Sequence, residues 1–141
     1  MTQYHNPVLL EASIEGLNII PNGTYVDVTF GGGGHSKAIL NCLDISGRLL
    51  GFDQDTDAFK NVLVDSRFDF IHSNFSNLSQ YLKYHKVIPV EGILADFGVS
   101  SHQFNTRERG FSTRLDARLD MRMNQSQPLD AFEIINNYSE E

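Results

Sequence analysis

The chain has 141 residues, 40% of them hydrophobic, and a formal net charge of −7, enough for a single hydrophobic core. No apolar run approaches the roughly 18 residues of a membrane span. The opening "MTQYHNPVLLEAS" also lacks the basic start and long apolar stretch of a signal peptide, so a cytoplasmic location is expected. A lone cysteine, Cys42, excludes an internal disulfide.

Read in chain order, helix and strand patterns alternate. "HNPVLLEASIEGL" offers Asn6 as an N-cap and Pro7 in the first turn of a helix. The turn "PNG" at residues 21–23 feeds the strand "TYVDVTF", and "HSKAILNCL" reads as a helix whose apolar stripe takes in Cys42 as a packing residue. "GRLLGFDQD" is a second strand ending in acids, and "DTDAFKNVLV" a helix opened by Asp55 or Asp57. "RFDFIHSNF", "NLSQYLKYH" and "VEGILADFGV" complete the order as strand, helix and a fourth strand apolar enough to be buried on both faces. A βαβαβαβ order implies a parallel sheet with helices on both sides. "LDAFEIINNY" at residues 129–138 predicts one more helix.

Between the first strand and its helix stand four glycines in a row, in "DVTFGGGGHS". In a doubly wound sheet the ligand lies beyond the carboxyl ends of the strands, at this first turn. A turn free of Cβ atoms lets a ligand touch backbone, while the first N–H groups of the next helix face an anionic group. "GGGGHS" meets the early requirements of G-x-G-x-x-G, with Ser36 in place of the last glycine, and no Gly-Lys-Ser/Thr closes a P-loop. Asp53, about 20 residues on, ends the second strand where a carboxylate takes ribose hydroxyls. Dinucleotides and S-adenosylmethionine both carry that ribose. Asp27, four residues before the glycines, opposes a pyrophosphate and favours the sulfonium cofactor. The other reading of Asp27 is a buried side chain bonded to local amides.

Charge is uneven. Residues 107–122 hold Arg107, Arg109, Arg114, Arg118 and Arg122 against three acids, in a chain that is otherwise acidic. Such a segment fits local phosphate contact; the alternative is a solvated loop whose arginines pair with its own acids.

"GILADFGVSSHQFNTRERGFSTRLDARLDMRMN", with "HNPVLLE", "TFGGGGHS", "GFDQD" and "RFDFIHSNFS", closely resembles the RsmH (MraW) family nearly end to end. The resemblance implies an S-adenosylmethionine-dependent methyltransferase that modifies the exocyclic N4 of a cytosine in small-subunit (16S) ribosomal RNA. It also implies a Rossmann-like class I sheet, interrupted after the fourth strand by a helical insertion. On this reading residues 1–105 are the N-terminal part of the cofactor domain, and residues 106–141 begin the insertion that recognises RNA. Carried across by motif, the cofactor contacts fall on Gly33, Gly34, His35, Asp53, Phe75, Asp96 and Gln103, with Asp96 also the candidate catalytic acceptor for the N4 proton. No metal is called for. The five arginines are the candidate RNA contacts, and Phe97, Phe104 and Phe111 are available to sandwich the target base. His102, Phe104 and Thr113 depart from the family's usual proline, leucine and aromatic residue.

Family members are longer, and a sheet ending at the fourth strand leaves "GILADF" as an open apolar edge, prone to self-association. The isolated chain is therefore expected to bind cofactor weakly, if at all, and to transfer no methyl group. Two further readings stay open: an NAD-type dinucleotide-binding dehydrogenase domain, and a noncatalytic RNA-binding fragment.

Overall fold

Alternation along the strands decides which side chains share a core. In the computed structural model, which describes residues 7–140, four strands form one parallel sheet in the order β3-β2-β1-β4. They are β1 (Thr24–Asp27), β2 (Arg48–Asp53), β3 (Phe68–His72) and β4 (Gly92–Leu94). Successive residues point to opposite faces. Tyr25 and Leu49 accordingly enter one buried cluster with Phe30, Ile39, Leu40 and Phe68, and Val26 and Leu50 enter the other with Phe52, Ile71 and Leu82. Helix α2 (Gly34–Cys42) supplies Ile39 and Leu40 to the first face and α3 (Leu78–His85) supplies Leu82 to the second, so helices cover both sides. Each such fully buried aliphatic or aromatic side chain contributes roughly 1.5–3 kcal/mol.

The register brings the acids to one end of the sheet. Asp27 pairs with Gly51 on one side and Leu94 on the other, and Asp53 pairs with His72. Gly51 has no room for a side chain, because a Cβ there would lie 2.7 Å from the Phe68 ring.

Several expectations change. Helix α1 spans Leu10–Leu17 and is entered through Leu9 at φ +52, not through Pro7. Pro7 instead packs on the glycine turn, where a Cβ at Gly34 would meet its Cγ at 2.2 Å; the Asn6 cap falls outside the described residues. Residues Thr56–Asn61 form a 3₁₀ turn rather than an α-helix. Asp55 caps it through the Asp57 N–H, the Lys60–Asp57 ion pair spans i,i+3, and the β-branched Val62 and Val64 that follow are exposed. Strand β4 is only three residues long, pairs with β1 alone among the described strands, and leaves Ile93 49% exposed instead of buried on both faces. Cys42 is exposed; Leu43 is the residue that packs into the core.

The chain divides into two units, the first ending at Phe97 and the second beginning at Gly98. The second holds α4 (Ser101–Asn105), a 3₁₀ turn (Arg107–Arg109) and α5 (Ala131–Asn137). Helix α5 matches the predicted 129–138 segment, with Asp130 accepting from the Glu133 N–H at 2.9 Å as its N-cap.

Candidate functional site

The turn after β1 is built around two left-handed glycines, Gly31 at φ +51 and Gly33 at φ +76. The Gly33 N–H returns to the Phe30 carbonyl at 2.8 Å, and a Cβ at Gly33 would press on the Phe30 ring at 3.0 Å. With Gly34 held against Pro7, folding itself requires three of the four glycines, one more than a plain turn needs. Gly32 is exposed, and its φ is not in the left-handed region. Helix α2 begins without a side-chain cap, so its first N–H groups keep no intrahelical partner.

Asp27 lies fully buried beneath this turn. One carboxylate oxygen accepts from Ser36 Oγ at 2.7 Å and the other from the Thr29 N–H at 3.1 Å. Burial raises its pKa above the ordinary carboxylate value, against the opposing pull of the Ser36 and Thr29 hydrogen bonds. Asp27 thus ties the strand end to α2, as the local-amide reading holds, with its carboxylate closed off from solvent.

Asp53 reaches across to the loop. Its Oδ2 accepts from the Gly31 N–H at 2.7 Å and its Oδ1 from the Asp55 N–H at 2.9 Å. Desolvation raises its pKa, partly offset by those two amides. The Gly31 carbonyl in turn accepts from Asn61 Nδ2 at 3.0 Å. His35 is buried, with Nε2 at 3.1 Å from the Val8 carbonyl. A carbonyl only accepts, so Nε2 carries the proton there.

Phe75 follows β3 in a short turn capped by Asn74, whose amide also bonds Gln54 at 2.9 Å. Its ring is 42% exposed and meets the 78% exposed Phe97 at 5.6 Å, tilted by 58°. Asp96 is exposed, and its backbone N–H donates to Thr29 Oγ1 at 2.7 Å. The carboxyl end of the sheet therefore carries the glycine turn, Asp53, Phe75 and Asp96 together. Thr29 and Asn61 escaped the sequence reading. The Asp-x-Thr spacing after β1 signals an Asx turn that involves Thr29; nothing in the local pattern marks Asn61.

In the second unit Gln103 is buried, and its side chain closes a capping box with Ser100 and donates to Met123 Sδ at 3.2 Å. Arg109 is 1% exposed, with Nη2 donating to the carbonyls of Arg122 at 2.9 Å and Met123 at 3.3 Å. Burial removes this guanidinium from the expected phosphate contacts: it staples the loop. Gly110 beside it sits at φ +70 where a Cβ would strike the Arg118 carbonyl at 2.4 Å. Arg118 pairs with Asp130 and Glu133 and lies 4.3 Å over the Phe132 ring; Arg122 forks onto Asp120. Arg107 donates to the Asp116 carbonyl at 2.6 Å. Arg114 is exposed, and its guanidinium bonds no described residue. Arg122 thus pairs with an acid of its own segment, while Arg118 reaches acids at the start of α5, and these pairings lower the pKa of Asp120 and Asp130.

A parallel sheet ordered 3-2-1-4, covered by helices on both faces and turning at glycines after its first strand, is the Rossmann-like fold of class I methyltransferases. The same fold occurs in a putative rRNA-methylase from Clostridium thermocellum, with a TM-score of 0.53 and 22% identity over 72% of this chain and 58% of that one. It also occurs in a putative methyltransferase from an antibiotic biosynthesis pathway of Anabaena variabilis, with a TM-score of 0.50 and 18% identity over 74% and 38%. Residues 2–141 match the MraW methylase family, and the chain belongs to that family. It is 58% identical over its whole length to 47% of a Christiangramia forsetii protein named ribosomal RNA small subunit methyltransferase H. A Flavobacterium johnsoniae protein of the same name is 57% identical over 99% of the chain and 46% of the relative. The chain thus spans about half the length of the curated relatives it matches.

Proposed function

We propose that the chain carries the cofactor-holding part of an S-adenosylmethionine-dependent methyltransferase acting on the exocyclic N4 of a cytosine in small-subunit ribosomal RNA. The observation that carries this reading is the meeting of a left-handed glycine turn with the Asp53 carboxylate at the carboxyl ends of β1 and β2. The bound cofactor would supply an electrophilic methyl group on sulfonium.

Everything else falls to this chain's residues. Each Asp53 oxygen has two lone pairs and gives one to a backbone amide, leaving capacity for a ribose hydroxyl on either oxygen. The glycine turn and the uncapped start of α2 present backbone donors to the amino-acid end, and Phe75 offers an exposed wall to the adenine. Gly33, Gly34 and His35 shape that turn, His35 through the hydrogen bond its ring Nε2 makes to the Val8 carbonyl.

Methyl transfer is an in-line displacement, so acceleration comes mainly from holding donor and acceptor about 3–3.5 Å apart. The cytosine N4 lone pair is shared with its ring, and a carboxylate accepting from N4–H favours the rehybridised nucleophile. Asp96 is assigned that role: its carboxylate is exposed, while Thr29 pins its backbone. The target base must leave its stack to reach this end of the sheet, and Phe97 offers it a face.

The test is a chimera in which these 141 residues replace their counterpart in the Christiangramia forsetii relative. Supplied with small ribosomal subunits and methyl-labelled cofactor, it is expected to label cytosine N4, read by nucleoside mass spectrometry. Asp96→Asn in the chimera is expected to retain S-adenosylhomocysteine binding in calorimetry and to lose turnover. Binding of NAD in place of S-adenosylhomocysteine, or label at another atom, overturns the reading.

A further inference from the structure

Gly31 joins two peptide planes, and each is gripped by a side chain, one from the end of β2 and one from the connection between β2 and β3. The plane of residues 30 and 31 is held through the Gly31 N–H on Asp53 Oδ2 at 2.7 Å. The plane of residues 31 and 32 is held through the Gly31 carbonyl, which accepts from Asn61 Nδ2 at 3.0 Å. Asp53 and Asn61 stand at the two ends of the 53–61 segment, so that segment fixes both dihedrals of a glycine with little conformational preference of its own.

The second grip has a directional consequence. In a trans peptide the N–H points opposite to the C=O. With Asn61 holding the Gly31 carbonyl, the Gly32 N–H is turned away from the 53–61 segment. Gly32 is exposed, and no described residue accepts from its N–H. Were Asn61 unable to donate, the glycine-flanked peptide could rotate and present a carbonyl lone pair where a donor now stands. Successive N–H groups around left-handed residues form concavities that suit anions, and Gly31 and Gly33 are such residues.

We infer that Asn61 belongs to the cofactor cradle as a positioning residue: by holding the Gly31 carbonyl it aims the Gly32 N–H at the carboxylate of the ligand's amino-acid end. This rests on the reading of the cradle given under Proposed function. It assigns no contact between Asn61 and the ligand itself; Asn61 acts through one peptide plane.

The test compares two ligands on the ¹⁵N-labelled 141-residue chain by NMR titration into the millimolar range. S-adenosylhomocysteine carries the amino-acid carboxylate; 5′-methylthioadenosine has the same adenosine and sulfur without it. The Gly32 amide is expected to shift with the first ligand and to stay in place with the second. Asn61→Asp keeps the shape and replaces the donor by an acceptor. It is expected to weaken S-adenosylhomocysteine about three- to tenfold, the scale of one neutral hydrogen bond, and to leave the 5′-methylthioadenosine affinity within about twofold. A merely loosened fold would lower both affinities alike, so equal losses, or a Gly32 amide unmoved by S-adenosylhomocysteine, overturn the inference while the cradle stands. If neither ligand moves any resonance of the unmodified chain, the same affinities are compared in the chimera, and absence of binding there overturns the cradle reading and this inference with it. Should Asn61→Asp lose its dispersed spectrum, Asn61→Ala, which deletes the donor without adding charge, carries the same expectations.

Discussion

Adjacent glycines in the turn after β1 should respond to alanine with opposite signs. At Gly33, φ +76 places an L-residue in left-handed geometry, which costs roughly 1–2 kcal/mol. The new Cβ would also press on the Phe30 ring at 3.0 Å. Phe30 cannot yield freely, because it is buried and packs between Phe68 and Phe70 with centroids at 5.3 and 5.2 Å. At Gly32 the φ is ordinary and the residue exposed, so alanine mainly restricts the unfolded chain and stabilises by about 0.4–1 kcal/mol. In a unit of this size 1 kcal/mol moves the melting temperature by about 4–8 °C. Gly33→Ala should therefore melt about 5–15 °C lower and Gly32→Ala a few degrees higher, read by circular dichroism on the same preparation. A Gly33→Ala chain as stable as the parent would show that the turn is not held in the left-handed geometry on which the cradle depends.

Four further outcomes follow from particular contacts. Burial raises the pKa of Asp27 in the folded chain, so the folded state keeps a proton that the unfolded state releases, and its stability cost is present at neutral pH and shrinks as pH falls through the raised value. The melting difference between Asp27→Asn and the parent should therefore vary with pH between 7 and about 4, beyond a constant offset from the altered hydrogen bonds. Arg114→Ala should leave the melt unchanged and lower the salt slope of filter binding to small-subunit RNA by about 0.7, whereas Arg109→Ala should disrupt the second unit, because two backbone carbonyls lose a buried donor. Asp130→Ala should destabilise α5 by about 0.5–2 kcal/mol, seen as faster exchange of the Glu133 amide; acidification through the depressed Asp130 pKa should do the same. Cys42 should react with a thiol reagent in the native chain at one equivalent, since it is exposed.

What was legible in the sequence is what local pattern determines. "TYVDVTF" is a run of β-formers and "GRLLGFDQD" an apolar run ending in acids, and both contain the observed strands with Asp27 and Asp53 at their ends. The errors arise where a distant residue decides. Pro7 has the chemistry of a first helical turn, yet it packs on Gly34, 27 positions away, and α1 starts three residues later. The 56–61 stretch has helical spacing, yet it is drawn into a 3₁₀ turn that ends on Asn61, whose side chain bonds Gly31 across 30 positions. Motif resemblance marks His35 and Gln103 but not their partners, the Val8 carbonyl and the Ser100 cap. Charge counting has the same weakness: five arginines look alike in sequence, and only burial separates Arg109 from Arg114.

Were the glycine turn free in the absence of ligand, binding would carry the entropy of ordering it, roughly 1–2 kcal/mol per residue fixed. Asp53 and Asn61 order Gly31 during folding, Phe30 receives the Gly33 N–H, and Asp27 ties Ser36 to the strand end. The ligand then meets a turn whose conformation is already set, so its contacts contribute to affinity without first restraining backbone. The negative charge of Asp53 disfavours ionisation of Asp27, and burial removes the water that would screen the two carboxylates from each other. Burial biases Asp27 and Asp53 toward their protonated forms, while backbone amides and Ser36 pull the other way. The same fold that orders the turn therefore keeps Asp27 facing inward on Ser36 and Thr29, and leaves Asp53, only half-buried, as the more accessible of the two carboxylates.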